Sequence, residues 1–213
     1  ALETYSPKFL NVLENVMDRD MIGLHLIYTQ FRTLEGIGIL KLIFEQNGMM
    51  HFKIAKSADG QWFVDIPEDL LARRLPGFIL YTGTETPEEK EILRNIFNSN
   101  WEYVPPTIVA ELTKIAKNNF YGQIIKVIMI TAAGAEGITL KNVRYVHLIE
   151  PYWHPVRTEQ VIGRARRICS HEDLDQEFRT VQVMLYLMKF SQSQLDSDES
   201  IELRLHDKSK LDQ

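Results

Sequence analysis

Ile124-Ile125-Lys126-Val127-Ile128-Met129-Ile130 runs directly into Thr131-Ala132-Ala133-Gly134-Ala135-Glu136-Gly137-Ile138-Thr139. The first seven residues are apolar except for Lys126, which predicts a strand buried on both faces, as in a parallel sheet. The nine that follow include two glycines and three alanines, so a backbone there can approach a ligand closely. Thr131 and Thr139 add hydroxyls able to bond a phosphate or a ribose. Loops at the carboxyl ends of strands are where open α/β sheets bind ligands. Taken alone, such a loop is more often only a tight turn.

The segment downstream changes that balance. Pro155 to about Cys169 reads as a helix. Advancing about 100° per residue from Gln160 puts Arg164 at about 40°, Arg167 at about −20° and Arg157 at about 60°. Val161, Ala165, Ile168 and Cys169 share the apolar arc, so Cys169 is expected in the core. One face is buried and another presents a fork of guanidiniums. Gly163 inside this helix costs about 1 kcal/mol relative to Ala, which implies a close approach at that point. Lys141, Arg144, Arg157, Arg164, Arg166 and Arg167 face only Glu150 and Glu159 in this stretch, a local basic patch. Clustered arginines suit charge spread over phosphate oxygens better than lysines do, because the planar guanidinium donates in pairs.

Moving outward, strands and helices alternate. Ser6-Pro7 starts a helix. Leu24 to Thr29 reads as a buried strand and Leu34 to Asn47 as a helix ended by Gly48. His51 to Lys56 and Trp62 to Ile66 flank Asp59-Gly60 as a hairpin. Phe78 to Tyr81 is a strand, Thr86-Pro87-Glu88-Glu89 opens a helix with a capping box, and Pro105-Pro106 introduces another. Tyr145 to Ile149 and Val181 to Met188 complete the strands. The fold class is α/β, a mostly parallel sheet with helices on both faces. Residues 49–77 and 99–122 read as insertions, the first a β-hairpin and the second helical, and 189–213 as a tail.

The 213 residues bound one domain. With 24 Lys and Arg against 29 Asp and Glu, the net charge of −5 excludes a globally basic nucleic-acid coat, so any such binding is local. A single cysteine, Cys169, excludes a disulfide framework and fits a reducing compartment; no metal site is expected. No apolar run is long enough to span a bilayer, so no membrane partner is expected. The chain begins at Ala1 and stops in a mixed-charge stretch, and reads as a piece of something longer. Trp62 and Trp101 read as satellite-core residues of the two insertions, and Trp153 and His154 as packing at a helix entry.

The stretch Gln160-Val161-Ile162-Gly163-Arg164-Ala165-Arg166-Arg167 resembles motif VI of superfamily 2 helicases. Thr131 to Leu140 resembles motif V of that superfamily. Gly134 and the Gly137-Ile138 pair resemble its Swi/Snf branch, as does Ile27-Tyr28-Thr29-Gln30-Phe31 its motif IV. Tyr81-Thr82-Gly83 and the glutamate-rich helix to Phe97-Asn98 match the next block. Glu150-Pro151-Tyr152-Trp153-His154-Pro155-Val156-Arg157 resembles helicase-like proteins of nucleocytoplasmic large DNA viruses, as do the hairpin insertion and the tail near Ser197 to Ile201. Departures exist: Thr139 stands where many members carry Asp or Asn, and Lys90 where Arg is usual.

The resemblance implies a second RecA-like lobe of an ATP-dependent helicase or translocase. It assigns Arg164 and Arg167 as catalytic arginine fingers and Gln160, Gly137, Thr139 and Gly163 to the nucleotide. It assigns Gln30, Thr82, Gly83, Thr131 and Gly134 to a nucleic-acid backbone, DNA before RNA. No glycine here is followed by lysine, so no P-loop is present, and the one Asp-Glu pair, Asp198-Glu199, lies in the polar tail. ATP and Mg²⁺ are therefore expected on a first lobe elsewhere in the polypeptide, and this chain alone is expected not to hydrolyse ATP. Viral transcription or replication proteins are further expected partners, in infected-cell cytoplasm or the virion. A second reading is a degenerate lobe that only docks nucleic acid or protein.

Overall fold

The computed structural model describes residues 2–31, 36–132, 134, 137–150 and 155–187. The elements are α1 (Leu2–Tyr5), α2 (Pro7–Met17), β1 (Leu24–Thr29), α3 (Ile37–Gln46), β2 (Met50–His51), β3 (Ile54–Lys56) and β4 (Trp62–Val64). Then follow α4 (Glu68–Ala72), β5 (Gly77–Tyr81), α5 (Pro87–Phe97), α6 (Pro106–Leu112), β6 (Ile125–Thr131), β7 (Val143–Leu148), α7 (Pro155–Ala165) and β8 (Gln182–Leu185). Six strands form one sheet in the order β2-β5-β6-β1-β7-β8, and every pairing in it is parallel. This is the expected α/β architecture, and order changes on either side of β1 require crossover helices.

The apolar runs alternate between two cores, one on each sheet face. Ile128 and Ile130 of β6 face the core built with α5, α6, the hairpin and α7. Val127 and Met129 face the core built with α2 and α3. Helices therefore cover both faces. Thr86 caps α5 by accepting from the Glu89 N–H at 3.2 Å, and the Thr86 backbone N–H holds the Glu89 carboxylate in return. Ser6 precedes α2 as expected, but its hydroxyl makes no capping bond.

Three sequence expectations change. The hairpin is β3 and β4 alone; His51, read as its start, instead belongs to β2, which pairs with β5 as the edge of the main sheet. The helix expected to reach Cys169 ends at Ala165. There the Ser170 hydroxyl donates to the Ala165 carbonyl at 3.2 Å, and the Ser170 N–H returns to Arg167 O at 3.1 Å. Cys169 adopts a left-handed φ of 62°, so the chain reverses and Cys169 is exposed rather than in the core. Ile168 leaves the apolar arc with it and is 95% exposed. Finally, α3 begins at Ile37; residues 32–35 lie outside the described residues, as do 188–213, including the expected tail.

The 99–122 segment is tied down by one residue the sequence did not flag. Asn119 is fully buried; its amide donates to Phe97 O and Ile125 O, and its oxygen accepts from the Ile124 and Ile125 N–H groups. Four bonds from one side chain replace backbone pairing that a chain reversal cannot make. Trp62 and Trp101 both pack against the same core.

Candidate functional site

Parallel pairing brings three strand ends to one edge. Thr29 of β1 lies opposite Thr131 of β6, and Tyr81 of β5 opposite Ile130. The loops leaving these ends hold Gln30, Thr82, Gly83, Thr131 and Gly134, so the residues expected to meet nucleic acid do converge.

Each loop is fixed by internal bonds. At the end of β1, the Thr29 hydroxyl donates to one Glu150 oxygen at 3.1 Å and the Gln30 N–H to the other at 2.9 Å. Phe31 follows, 45% exposed. At the end of β5, Glu85 accepts from the N–H groups of Thr82 and Gly83, both at 3.0 Å, and from the hydroxyls of Thr82 and Thr84. Desolvation alone would raise the Glu85 pKa, but these donors outweigh it and hold the carboxyl below its usual range. At the end of β6, the buried Thr131 hydroxyl donates to Thr82 O at 3.1 Å, so it joins two loops rather than facing outward.

Gly134 is buried against the end of β5. A Cβ there would stand 1.8 Å from the Tyr81 carbonyl oxygen, so packing alone demands glycine. Gly137 adopts φ 70° and is exposed. Residues 133, 135 and 136 of this loop lie outside the described residues, as do Trp153 and His154.

The arginine side is built differently. Val161 and Ala165 of α7 are buried, while Gln160 and Gly163 are exposed. Arg164 donates to the Ile138 carbonyl at 3.3 Å, and Arg167 to the Thr139 hydroxyl. Arg167 does so from beyond the helix, not from the helical arc expected. Among the described residues neither guanidinium pairs with a carboxylate. The Arg157 side chain lies outside the described residues. Asn98 braces the same loop from α5: its amide donates to Thr139 O and its oxygen accepts from the Lys141 N–H, both at 2.9 Å. Among the described residues a Cβ at Gly163 would meet nothing within 4 Å, so none of them explains the glycine.

Glu85 and Glu150, and the bracing by Asn98, escaped sequence reasoning. Glu150 and Asn98 anchor loop groups far away in the chain, a role that leaves no local spacing to read. The Cys169 thiol is pushed up by a hydrogen bond and charge from Glu172. His171 bonds Val143 O and Ser170 within the fold. The half-buried Arg164 and the exposed Arg167 carry guanidiniums suited to a phosphate, whereas no described group of three or more His, Cys, Asp and Glu could hold Mg²⁺. Among the described residues no helix is long and apolar enough to cross a membrane.

The geometry defines a RecA-like lobe, and comparison with known proteins agrees. Residues 69–169 match the helicase conserved C-terminal domain. It is 32% identical over 196 residues to a protein of Acanthamoeba polyphaga mimivirus that bears the name of an ATP-dependent RNA helicase. That match covers 92% of this chain and 20% of the mimivirus protein. It is 31% identical over 204 residues to the termination factor NPH-I homolog of African swine fever virus (Kenya isolate), covering 87% of this chain and 26% of that protein. The chain thus spans about a fifth to a quarter of these relatives. The C-terminal part of the Fun30 ATPase domain shares the fold, with a TM-score of 0.50 and 13% identity over 93% of this chain and 49% of that one.

Proposed function

We propose that this chain is the second motor lobe of an ATP-dependent helicase or translocase, supplying arginine fingers to ATP held on a first lobe. The observation that carries the reading is the pair Arg164 and Arg167, held on one loop and without carboxylate partners among the described residues. An unpaired guanidinium keeps its donors for an incoming anion. When the lobes close, both guanidiniums leave Ile138 O and Thr139 for the γ-phosphate and stabilise the charge that spreads over its oxygens. Gln160, Gly163, Gly137 and Thr139 form the wall against the nucleotide. Opening after hydrolysis shifts the grip of Gln30, Thr82 and Gly83 on a nucleic-acid backbone. Thr131 and Gly134 serve that grip from behind by holding the loop. Mg²⁺ binds on the first lobe, and this chain alone does not turn over ATP.

DNA is the proposed polymer, on the Swi/Snf-like character of the motifs. Transcription or replication in an infected cell is the proposed setting, on the viral relatives. Residues 49–77 and 99–122 are insertions in this lobe and 189–213 its tail. The test is ATP turnover by the full-length parent protein, with and without DNA or RNA, beside Arg167→Ala. Turnover stimulated by nucleic acid should fall by about 10³-fold or more in the variant, the scale of an arginine finger. Turnover indifferent to Arg167 would sink the assignment and leave a docking module as the better account.

A further inference from the structure

The loop proposed to grip a nucleic-acid backbone already holds an anion, and that anion is its own glutamate. Glu85 Oε2 accepts from the Thr82 and Gly83 N–H groups, both at 3.0 Å. Its Oε1 accepts from the Thr82 hydroxyl at 2.9 Å and the Thr84 hydroxyl at 3.1 Å. Two donors meet each carboxylate oxygen. Successive backbone N–H groups around a positive-φ residue, here Gly83 at 95°, form a concavity that suits any oxyanion. Backbone N–H groups and threonine hydroxyls are also common partners of nucleic-acid phosphates. Thr82 and Gly83 cannot offer a phosphate these donors while Glu85 occupies them.

The donors and their occupant differ in how firmly they are held. Thr82 is buried, and its carbonyl accepts from Thr131 at 3.1 Å. The preceding Tyr81 carbonyl lies against Gly134. Glu85 is a half-buried side chain that can leave by rotation about its own bonds. It also has somewhere to go: a cavity of about 310 Å³ is lined by Glu85, Thr84, Glu89, His51 and Lys53, whose ammonium can receive a carboxylate.

We propose that Thr82, Gly83 and Thr84 form a phosphodiester cradle occupied by the Glu85 carboxylate when no nucleic acid is bound, and that a backbone phosphate displaces Glu85 toward Lys53. The proposal rests on the reading of this lobe as a nucleic-acid grip. It makes Glu85 a competitor, so its neutralisation strengthens binding. A glutamate that only positioned the loop would have the opposite sign.

The experiment uses the full-length parent and a labelled 20-base-pair DNA duplex at fixed ionic strength, with a melting curve for every variant. Glu85→Gln should tighten binding by about tenfold, the scale of removing one near-contact charge at a solvated surface. Glu85→Asp keeps the charge, is too short to span all four donors, and should also tighten binding. Glu89→Gln removes the same charge from the same cavity without touching the cradle, and should stay within about twofold, as expected of a screened, non-contacting charge. Replacing chloride by inorganic phosphate at equal ionic strength should weaken wild-type binding more than chloride does, since free phosphate takes the same donors. Weaker binding by both Glu85 variants, or equal gains in Glu85→Gln and Glu89→Gln, overturns the cradle and leaves the grip reading standing. A wild-type parent that binds no DNA in a salt-dependent way overturns both.

Discussion

The two halves of this sheet edge are finished in opposite ways. On the β1, β5 and β6 side, the loops are bonded to one another: Glu150 holds Thr29 and Gln30, Glu85 holds Thr82 and Gly83, and Thr131 holds Thr82. On the α7 side, Arg164 and Arg167 rest on a carbonyl and a hydroxyl, and among the described residues no carboxylate pairs with them and nothing meets a Cβ at Gly163. Closed loops have their polar groups satisfied within the chain, so substitutions there first damage the fold. At α7 the cost of Gly163 is not offset by any described neighbour, which is what the proposed incoming nucleotide or facing lobe would account for. The comparison therefore separates residues whose loss is a stability event from residues whose loss is a functional one.

The hardest blow to the closed side is Gly134→Ala. The added methyl would stand 1.8 Å from the Tyr81 oxygen, a backbone atom that cannot rotate away. The loop must shift or β5 must yield. We expect a loss of about 3 kcal/mol, the upper range for overpacking, read from chemical unfolding of the chain. An unchanged midpoint would mean that the two loops are not locked together, and the distinction between the sides would fail.

Acid should attack the same side from beneath. His25 of β1 and His147 of β7 are buried and hydrogen-bonded ring to ring at 2.9 Å, and His147 also bonds the Tyr186 hydroxyl at 2.7 Å. Burial lowers His147 from 6.5 to about 3. Burial, then the charge of His147, holds His25 well below its usual value, with Lys126 and Arg144 adding to the effect. Both rings are neutral in the fold, while the unfolded chain protonates near 6.5. Between about pH 3 and 6.5 the unfolded state thus binds more protons, and stability falls as pH falls. Their contribution is fully present above 6.5. From pH 7 to pH 5 the loss should be on the order of 2 kcal/mol for one such histidine, measured by unfolding at both values. Equal stability at pH 7 and 5 would show that the pair is not dry.

How much of this was legible in the sequence follows the same division. Apolar runs such as Ile124–Ile130 fixed the parallel sheet because burial on both faces leaves no alternation to misread. The Thr86 cap was legible because it is made three residues away. The arginines and Gly163 were legible because they break the rules of an ordinary helix. The anchors were not: Glu150 reaches Thr29 across 121 positions, and Asn119 reaches Phe97 across 22, and no local period records such a bond. The helix end was misread for a related reason. Ile168 and Cys169 continue the apolar period, but the side-chain bond of Ser170 to Ala165 O and the left-handed φ at Cys169 stop the helix first.

The smallest effect is the most discriminating. Gly163 lies inside α7, and a Cβ there would meet nothing within 4 Å. In an exposed helix interior Ala is favoured over Gly by about 1 kcal/mol. Gly163→Ala should therefore stabilise this chain by roughly that amount, because no described neighbour opposes the methyl. If the space is kept for a nucleotide or the facing lobe, the same change in the full-length parent should lower ATP turnover while the melting temperature of the lobe rises. Stability and activity would move in opposite directions, which no fold-maintenance role for Gly163 can produce. A variant that loses stability would mean that α7 is finished from within like the loops opposite, and that the openness of this side belongs to Arg164 and Arg167 alone.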